Sequence, residues 1–588
     1  MGEITRDWEG DPRSRWETGG VSTATALSPV SRQSAIDALA SGEELDVLVI
    51  GGGVTGVGCA LDAVTRGLRT GLIEQRDFAS GTSSRSSKLI HGGLRYLEMF
   101  DFRLVAEALK ERGLLLTRLA PHLVRPVPFL YPLSKPLVER PYVEAGLALY
   151  DSMARASKHS AGLPWHKHLT RRQALKLAPA LKSSALVGAV LYYDAKVDDA
   201  RHVMEIARTA ASYGAHVATR VAAVGFLRQG ERVTGVRALD KVTGREFDIL
   251  ARQVVNATGV WTDDTQALVG ERGQFHVRAS KGVHLVVPRD RIHSKTGIIL
   301  RTEKSVLFVI PWGRHWIIGT TDTDWALDKA HPAATSADID YLLGHVNRIL
   351  RTELTQADVE GVYAGLRPLL AGESDQTSKL SREHTVAHPT PGLVVIAGGK
   401  YTTYRIMAID AIDEAARGLG GDVAPSTTEE IPLVGAVGYR AMWNRRSALA
   451  HESGLHVERI EKMLMRHGVL TTEVLPLIAA DRTLGEPLPG GEDYLKAEIV
   501  YAAAHEGALH LDDILARRTR LSIESFDRAI TASRPAAELV APVLGWDAAT
   551  VEEEVEHYHQ RVTAERMSQT MPDDAAADAA RLQAPDRG

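Results

Sequence analysis

A glycine-rich turn between two apolar segments is the feature that most constrains the fold of this chain. The first segment, LDVLVI (Leu45–Ile50), is an apolar run with several β-branched residues, as a strand buried on both faces requires. The turn GGGVTG follows it directly, a helical segment comes next, and TGLIE (Thr70–Glu74) forms a second strand. This order predicts a βαβ unit with the turn at the start of its helix.

The glycines of this turn have the spacing of a dinucleotide-binding fingerprint. Gly51 permits the tight turn, Gly53 lets backbone N–H groups approach a pyrophosphate, and Gly56 lets the helix pack closely on the sheet. Glu74 ends the second strand about 20 residues further on, where an acidic side chain can accept hydrogen bonds from a ribose. NAD and FAD share this ADP half, so the fingerprint leaves both cofactors open.

Length and composition indicate a globular protein of several domains. The 588 residues are too many for one core, so we expect two or three domains. The net charge of −5 argues against a nucleic-acid partner. The single cysteine, Cys59, excludes an intramolecular disulfide and a cysteine-based metal site. The N-terminus lacks an apolar signal-peptide region, and no run of about 18 apolar residues predicts a membrane-spanning helix.

The order of strand and helix patterns predicts the domain organisation. Beyond the βαβ unit the chain mixes further strands, such as QVVNAT and GLVVIAG, with helices, and its last part is mostly helical. We predict an α/β fold with a Rossmann-like FAD- or NAD-binding domain, a β-rich substrate domain built from interleaved segments, and an α-helical C-terminal domain. The predicted parts are a disordered leader over 1–42, the α/β region over 43–415, the helical domain over 420–570 and a disordered tail over 571–588.

A second stretch, TSSRSSKLIHGGLRYLE, brings hydroxyl, cationic and glycine residues together in a short length of chain. Its hydroxyl groups, among them Thr82, Ser83 and Ser87, can donate hydrogen bonds to phosphate and to ring oxygens. Gly92 and Gly93 remove side chains where a flat ring would lie against the backbone. A polar surface loop would explain the local pattern equally well.

This stretch closely resembles the signature of the FAD-dependent glycerol-3-phosphate dehydrogenases, the aerobic respiratory enzymes. Further blocks similar to that family follow in the family's order, and the resemblance extends from about residue 45 to about residue 405. They are YYDAKVDDAR, VVNATGVW, KGVHLVVP, FVIPWG with IIGTTDTD, GLRPL and GGKYTTYR. The C-terminal helical region resembles the last domain of the family more loosely.

The resemblance implies FAD as the cofactor and sn-glycerol 3-phosphate as the substrate. In the family the substrate is oxidised to dihydroxyacetone phosphate. Hydride leaves C2 for flavin N5, the C2 hydroxyl loses a proton, and the electrons pass to a membrane quinone. The protein must therefore hold a phosphate dianion, orient a secondary alcohol and assist its deprotonation.

The resemblance also assigns roles to individual residues. It places Arg367 at the C2 oxygen, where a permanent cation favours an alkoxide-like transition state but cannot take the proton. We therefore predict a histidine as the base, with His284 and His91 as the two candidates. It implies that Arg95 and Tyr96 bind the substrate phosphate. It also implies that Arg382 and Lys400 lie near the substrate phosphate or the flavin.

Further cofactor contacts are expected where two later strands end. One strand would end beside the adenine or the pyrophosphate. The other leads into a helix whose N–H groups can point at the pyrimidine edge of flavin. The residues concerned are Thr258 and Gly259 in VVNATG, and Gly398, Gly399 and Thr402 around the end of GLVVIAG. VDDAR (Val197–Arg201) is expected to form a structural ion-pair turn.

The segment Arg155–Lys182 contains seven lysine or arginine residues and no acidic residue, with Trp165 between them. It could rest on an anionic lipid surface, at about 1 kcal/mol per basic residue, and a membrane quinone gives a reason for that contact. A solvated basic face is an equal alternative. HKH (His166–His168) has no carboxylate close in sequence, so we predict no metal site. We expect a cytoplasmic protein, with peripheral attachment to the inner face of the cell membrane and a homodimer both left open.

Three other functions compete with the quinone-linked dehydrogenase. A glycerol-3-phosphate oxidase would run the same half-reaction with O2 as acceptor, and the substrate residues would not distinguish it. An amine or amino-acid oxidase needs a carboxylate-binding arginine, whereas the several cations predicted around one substrate favour a phosphate. A flavin- or nucleotide-binding module without turnover would not need the charged residues of the substrate blocks.

Overall fold

The computed structural model describes residues 25–93, 101–134, 139–156, 162–270, 276–302, 306–370 and 383–586. Its strands are β1 (Leu45–Ile50), β2 (Thr70–Glu74), β3 (Leu89–Ile90), β4 (Arg125–Leu133), β5 (Lys167–Thr170), β6 (Gly188–Lys196), β7 (His216–Thr219), β8 (Val221–Gln229), β9 (Arg232–Asp240), β10 (Glu246–Asn256), β11 (Val277–Pro288), β12 (Gly297–Arg301), β13 (Val306–Trp312), β14 (His315–Gly319), β15 (Thr323–Trp325), β16 (Gly361–Leu370), β17 (His384–Thr390), β18 (Leu393–Gly398), β19 (Pro487–Leu488) and β20 (Gly491–Leu495).

The α-helices among these residues are α1 (Pro29–Leu39), α2 (Val54–Thr65), α3 (Phe102–Leu114), α4 (Glu139–Ala156), α5 (Arg171–Leu177), α6 (Asp199–Ser212), α7 (Thr262–Ala267), α8 (Ser336–Asn347), α9 (Tyr404–Arg417), α10 (Tyr439–Asn444), α11 (Arg446–Ser453), α12 (Val457–His467), α13 (Thr471–Ala480), α14 (Lys496–His505), α15 (Leu521–Glu524), α16 (Ile530–Leu544), α17 (Ala548–Ser568) and α18 (Asp574–Arg581). Two π-helical turns cover Leu115–Leu119 and Asp513–Arg518. No described helix has the length and apolar composition that crossing a membrane requires.

The first sheet confirms the Rossmann-like domain. Its parallel strands lie in the order β18-β10-β1-β2-β7, and α2 connects β1 to β2 as the fingerprint predicts. β17 and β9 pair antiparallel with this sheet, and β8 extends it through β9. The parallel strands are buried on both faces because α2, α6 and α9 cover one side, while α1 and the antiparallel strands β8 and β9 cover the other.

The second sheet confirms the β-rich domain. Its order is β15-β11-β14-β13-β12-β4-β6-β3, with β16 paired to β11 and β5 paired to β6. The antiparallel register of β11 and β16 sets Ser280 opposite Arg367 and His284 opposite Tyr363. The strands of the two sheets alternate along the chain, so both domains are discontinuous, as predicted.

The helical C-terminal domain is confirmed, but each end that was predicted to be disordered contains a helix, α1 or α18, in the part that the structure describes. Ser28 caps α1 by accepting the Ser31 N–H at 3.1 Å, and Ile36 and Leu39 of α1 are buried against the first sheet. In α18, Ala577 is fully buried. Disorder over 1–42 and 571–588 is therefore a wrong prediction for residues 25–42 and 571–586, because their few apolar residues pack against distant parts of the fold.

Buried ion pairs join the helical domain to the Rossmann-like domain. They are Asp77 with Arg517 and Arg518, Arg201 with Glu506, and Arg520 with Asp198 and Asp199. VDDAR therefore contributes ion pairs, but their partners are in the helical domain and, for Asp199, also Lys88, rather than within its own turn. These charges are largely shielded from solvent, so removal of one member takes a buried ion-pair partner from the others and is costly.

Candidate active site

A cavity of about 510 Å³ runs from the glycine-rich turn to the face of the second sheet. The predicted site residues that line it are Gly51, Gly53, Glu74, Thr82, Ser83, Ser87, His91, Thr258, Gly259, His284, Arg367, Gly398, Gly399 and Lys400. The predicted residues that do not line it are Gly56, Gly92, Gly93 and Thr402. Arg95, Tyr96 and Arg382 lie outside the described residues.

Backbone crowding explains the glycines of the turn. Gly51 has φ +116°, and a Cβ there would lie 2.7 Å from the carbonyl oxygen of Ala257. A Cβ on Gly56 would overlap the carbonyl oxygen of Gly51, so Gly56 acts through close packing rather than by lining the cavity. Sequence reasoning missed Gly52, where a Cβ would lie 2.9 Å from the Glu74 side chain. The only signal for it was that the GGG run has a glycine at its middle position as well as at the two positions of the fingerprint.

Two side chains hold this turn in place. The carboxylate of Glu74 accepts the Gly52 N–H at 2.6 Å and the Arg76 N–H at 2.7 Å. Burial raises the pKa of Glu74, and these two donors oppose the increase. Ser83 Oγ accepts the Val54 N–H at 2.9 Å, which satisfies a backbone donor in the first turn of α2. Glu74 and Ser83 thus shape the turn as well as line the cavity.

His284 lies at the other end of the cavity and is 2% exposed. Its Nε2 is 2.8 Å from Ser87 Oγ, and its ring stacks on Tyr363 with 4.8 Å between centroids and 9° between planes. Burial, strengthened by the charges of Arg367 and Lys88, holds the pKa of His284 well below its ordinary value. The imidazole is therefore neutral at physiological pH, the form that can accept a proton.

Arg367 enters the same end of the cavity from β16. Its guanidinium donates to Thr320 Oγ1 at 3.0 Å, to the Thr321 carbonyl at 3.2 Å and to Ser280 Oγ at 3.3 Å. A Cβ on Gly282 would lie 2.5 Å from this guanidinium, so the glycine of KGVHLVV makes room for the cation. These contacts from β11 and from the chain after β14 fix the orientation of the charge.

Lys88 and Asp199 form a buried ion pair below this end of the cavity, and sequence reasoning did not include them in the site. Lys88 Nζ donates to Asp199 Oδ1 at 2.8 Å and to the Ser84 carbonyl at 3.0 Å. It also lies 5.1 Å from the centroid of the Tyr363 ring that stacks on His284. Lys88 was visible in the TSSRSSK block, but its partner lies 111 residues away in sequence.

His91 lines the cavity, but the neighbouring glycine does not serve the predicted purpose. A Cβ on Gly92 would meet Leu109 and the Tyr150 hydroxyl, and the Gly92 N–H donates to that hydroxyl at 2.9 Å. The prediction that Gly92 makes room for a flat ring is therefore wrong, because the space is filled by α3 and α4. Gly93 has φ +73°, a backbone conformation that favours glycine.

The remaining predicted residues lie along the wall between the two ends. Gly398 and Gly399 have positive φ, and a Cβ on Gly399 would lie 2.5 Å from Met407 Sδ. Lys400 lines the cavity directly after them. Thr402 does not line the cavity, but its Oγ1 accepts a hydrogen bond from the N–H of His91, which does, at 3.3 Å. Thr258 and Gly259 lie on the wall beside the turn.

Comparison with known proteins decides the family. Residues 46–405 match the family described as FAD dependent oxidoreductase, and residues 426–551 match the C-terminal domain of alpha-glycerophosphate oxidase. "Glycerol-3-phosphate dehydrogenase 2" of Mycobacterium tuberculosis is 59% identical over 563 residues, which cover 96% of this chain and 95% of that protein. The chain belongs to the FAD-dependent glycerol-3-phosphate dehydrogenase family.

Comparison with more distant relatives leads to the same family. The human "Glycerol-3-phosphate dehydrogenase, mitochondrial" is 37% identical over 558 residues, covering 91% of this chain and 75% of that protein. The crystal structure of glycerol-3-phosphate dehydrogenase from Bacillus halodurans complexed with FAD has a TM-score of 0.74 and 29% identity, covering 91% of this chain and 98% of that one. The fold of this family, including its helical C-terminal domain, is therefore the fold of this chain.

FAD is the cofactor of the family, and the turn of this chain fits the ADP half of FAD. Gly51 and Gly53 present bare backbone to the cavity at the positive end of α2, where phosphates bind favourably. Glu74 lines the same end with a carboxylate, the acceptor that a ribose requires. The residues that sequence reasoning assigned to the pyrophosphate and ribose are thus suitably placed to hold them.

Proposed function

We propose that this protein oxidises sn-glycerol 3-phosphate to dihydroxyacetone phosphate and passes the electrons to a quinone. The observation that carries the proposal is that neutral His284 shares one cavity with two cations, Arg367 and Lys400, and with the glycine-rich turn. The names of the relatives support the same substrate. Bound FAD would supply the two-electron acceptor, taking hydride from C2 of the substrate at N5.

The charges along the cavity favour an anionic substrate. The cations that line it are Arg76, Arg85, Arg367 and Lys400, and the acids that line it are Glu74 and Asp264. Glu74 already accepts two backbone hydrogen bonds at the dinucleotide end. We propose that Lys400, together with Arg95, Tyr96 and Arg382, binds the substrate phosphate, because guanidinium and ammonium groups are strong phosphate donors.

Arg367 and His284 would act on the C2 hydroxyl in two different ways. Arg367 keeps its charge and would stabilise the negative charge that develops on the C2 oxygen. Neutral His284 would accept the hydroxyl proton at Nε2, the nitrogen that contacts Ser87 Oγ at 2.8 Å. His91 remains the second candidate base because it lines the same cavity.

The acceptor and the membrane contact belong to the same proposal. In the segment that sequence reasoning singled out, Trp165 is 42% exposed and Arg155 lies over its ring at 4.7 Å. The exposed cations beside it are Lys167, Arg171, Arg172 and Lys176. We propose that this face rests on anionic lipid, where a quinone is within reach.

A double variant, Arg171→Glu with Arg172→Glu, tests this contact. It should no longer bind anionic vesicles, while its flavin is still reduced by substrate. Wild-type protein that binds neutral vesicles as well as anionic ones would contradict the proposal.

The first test is an anaerobic spectrum of the purified protein with and without sn-glycerol 3-phosphate. The flavin absorption should bleach with this substrate and persist with glycerol or amino acids. Arg367→Ala should keep the flavin but slow the bleaching by about 100- to 1,000-fold, while Arg445→Ala, an exposed arginine of the helical domain, should match the wild type. Flavin that persists with every substrate would refute the proposal.

Oxygen is the second candidate acceptor, favoured by the match of residues 426–551 to a domain of alpha-glycerophosphate oxidase. Re-oxidation of the reduced protein separates the two acceptors. A quinone analogue should restore the flavin absorption much faster than air-saturated buffer does. Rapid re-oxidation in air with stoichiometric peroxide would instead identify an oxidase.

A further inference from the structure

Three ligand atoms of metal-binding type converge on the outer edge of the second sheet, away from the cavity. They belong to Glu144 in α4 and to His166 and His168 at the start of β5, and we call these residues the Glu144 cluster. One ligand atom of each residue lies within 4.8 Å of the other two. His168 Nε2 forms an ion pair with Glu144 Oε2, and His166 Nε2 lies 3.5 Å from Glu144 Oε1. Ligands of a tetrahedral zinc ion are about 3.3 Å apart at the usual zinc–nitrogen distance, so small shifts of these side chains would complete the site.

The local chain explains why the two imidazoles face the same way. His166 and His168 are two residues apart in extended chain, and alternate residues of such a chain project to the same side. Their ring centroids are 5.8 Å apart, while Lys167 between them is exposed. Sequence reasoning predicted no metal here because no carboxylate is close in sequence. The fold supplies one, since α4 lies against β5 and brings in Glu144.

A second carboxylate orients one of the imidazoles. Asp151 lies seven residues after Glu144, two helical turns along the same face of α4. Its Oδ2 accepts the His166 backbone N–H and lies 2.8 Å from His166 Nδ1. When Nδ1 donates to Asp151, the lone pair of His166 belongs to Nε2, the atom that is 3.5 Å from Glu144 Oε1. A carboxylate behind a ligating histidine is the usual support of a metal site.

We propose that the Glu144 cluster binds a divalent transition-metal ion, with Zn²⁺ as the best fit. Two imidazoles and one carboxylate suit zinc and its neighbours, whereas Ca²⁺ and Mg²⁺ prefer oxygen ligands alone. Glu144 has a side chain that is 50% exposed, while His166 and His168 are 7% and 19% exposed. The ion can therefore enter from solvent and retain a water molecule as its fourth ligand.

The position of the site gives the ion a structural role. It would join α4 to β5, and α4 also carries Tyr150, about one and two-thirds turns beyond Glu144. The Tyr150 hydroxyl donates to Asp194 at 2.6 Å and accepts the Gly92 N–H at 2.9 Å, next to His91. A metal ion would thus fasten the helix that supports this part of the cavity wall. The proposal does not depend on the substrate or on the acceptor.

Calorimetric titration of Zn²⁺ into the tag-free, chelator-treated flavoprotein tests the site. We expect one equivalent to bind and to raise the melting temperature. Glu144→Gln and His168→Asn should each weaken binding at least tenfold, and Asp151→Asn about tenfold, as for other supports of metal ligands. The control is His276→Asn, an exposed histidine beside the single carboxylate Asp263, which should bind zinc like the wild type.

Cobalt(II) gives a second readout that uses only the wild-type fold. The four-coordinate Co²⁺ complex should show visible bands at longer wavelength than the flavin, and excess Zn²⁺ should remove them. A wild-type protein that binds neither metal, or variants that bind zinc as tightly as the wild type, would overturn the proposal. The cluster would then be a set of histidine–carboxylate ion pairs without a metal ion.

Discussion

The two ends of the cavity are built by different means. The dinucleotide end is built mainly on one continuous stretch of chain, from β1 through β2 to Ser83, with Thr258 and Gly259 on the wall beside it. Its specificity lies in backbone that no Cβ obstructs. The reaction end is assembled from side chains on four distant segments, which contribute Ser87, His284, Arg367 and Lys400. Substitutions at the first end should therefore act on cofactor retention, and substitutions at the second should act on the rate of reaction.

The largest effect is expected at Gly56. A Cβ on this residue would overlap the carbonyl oxygen of Gly51, which is backbone and cannot move aside. Gly56→Ala should therefore yield a protein with little or no bound flavin, as measured by the flavin-to-protein absorbance ratio. Gly344→Ala is the matched control, because nothing lies within 4 Å of its Cβ position in α8. It should retain flavin and gain up to about 1 kcal/mol of stability.

The second largest effect is expected at the reaction end, for a substitution of His284. His284→Asn should retain flavin but slow its reduction by about 100- to 10,000-fold, the usual contribution of a general base. In the wild type, the pKa of His284 lies well below 6.5 because of burial and the nearby cations. The neutral, active form therefore persists as the pH falls through 6.5, and the rate at saturating substrate should decline only at lower pH. A decline centred at 6.5 or above would contradict this assignment.

A substitution at Asp77 tests a third kind of residue, one that joins two domains and takes no part in the oxidation of the substrate. Asp77→Ala leaves Arg517 and Arg518 without their shared buried partner. The free energy of unfolding should fall by about 3–5 kcal/mol, while flavin reduction in the surviving folded protein stays near the wild-type rate. Glu552→Ala, which breaks an exposed pair with Arg534, should cost less than about 1 kcal/mol in chemical denaturation. Equal losses in the two variants would refute this difference.

The smallest effect is expected at Ser87. Its hydroxyl contacts His284 Nε2 at 2.8 Å, and a single neutral hydrogen bond contributes about 0.5–1.5 kcal/mol. Ser87→Ala should therefore slow flavin reduction by no more than about tenfold and leave the flavin content unchanged. A loss as large as that of His284→Asn would mean that Ser87 itself carries the proton.

The sequence alone determined the features that depend on neighbouring residues. The strand–turn–helix order around Gly51, the acid at Glu74 and the ordered blocks of the family were sufficient for the α/β fold, the FAD cofactor and the identity of the family. They also named His284 and Arg367 as site residues, and both line the cavity. The strand–turn–helix order and the acid at its end follow from backbone geometry and local spacing, which the chain specifies within some 30 residues. The cofactor, the family and the two site residues follow from the resemblance of the ordered blocks to that family.

Only the tertiary structure decided which distant groups meet. It paired Lys88 with Asp199 below His284, turned Gly92 toward Tyr150, and brought Glu144 to the two histidines of HKH. It also packed α1 and α18 onto the fold, where composition predicted disorder. Such contacts depend on sheet register and helix packing between segments far apart in sequence. The residues next to a side chain in the sequence therefore do not indicate which of these distant contacts it makes.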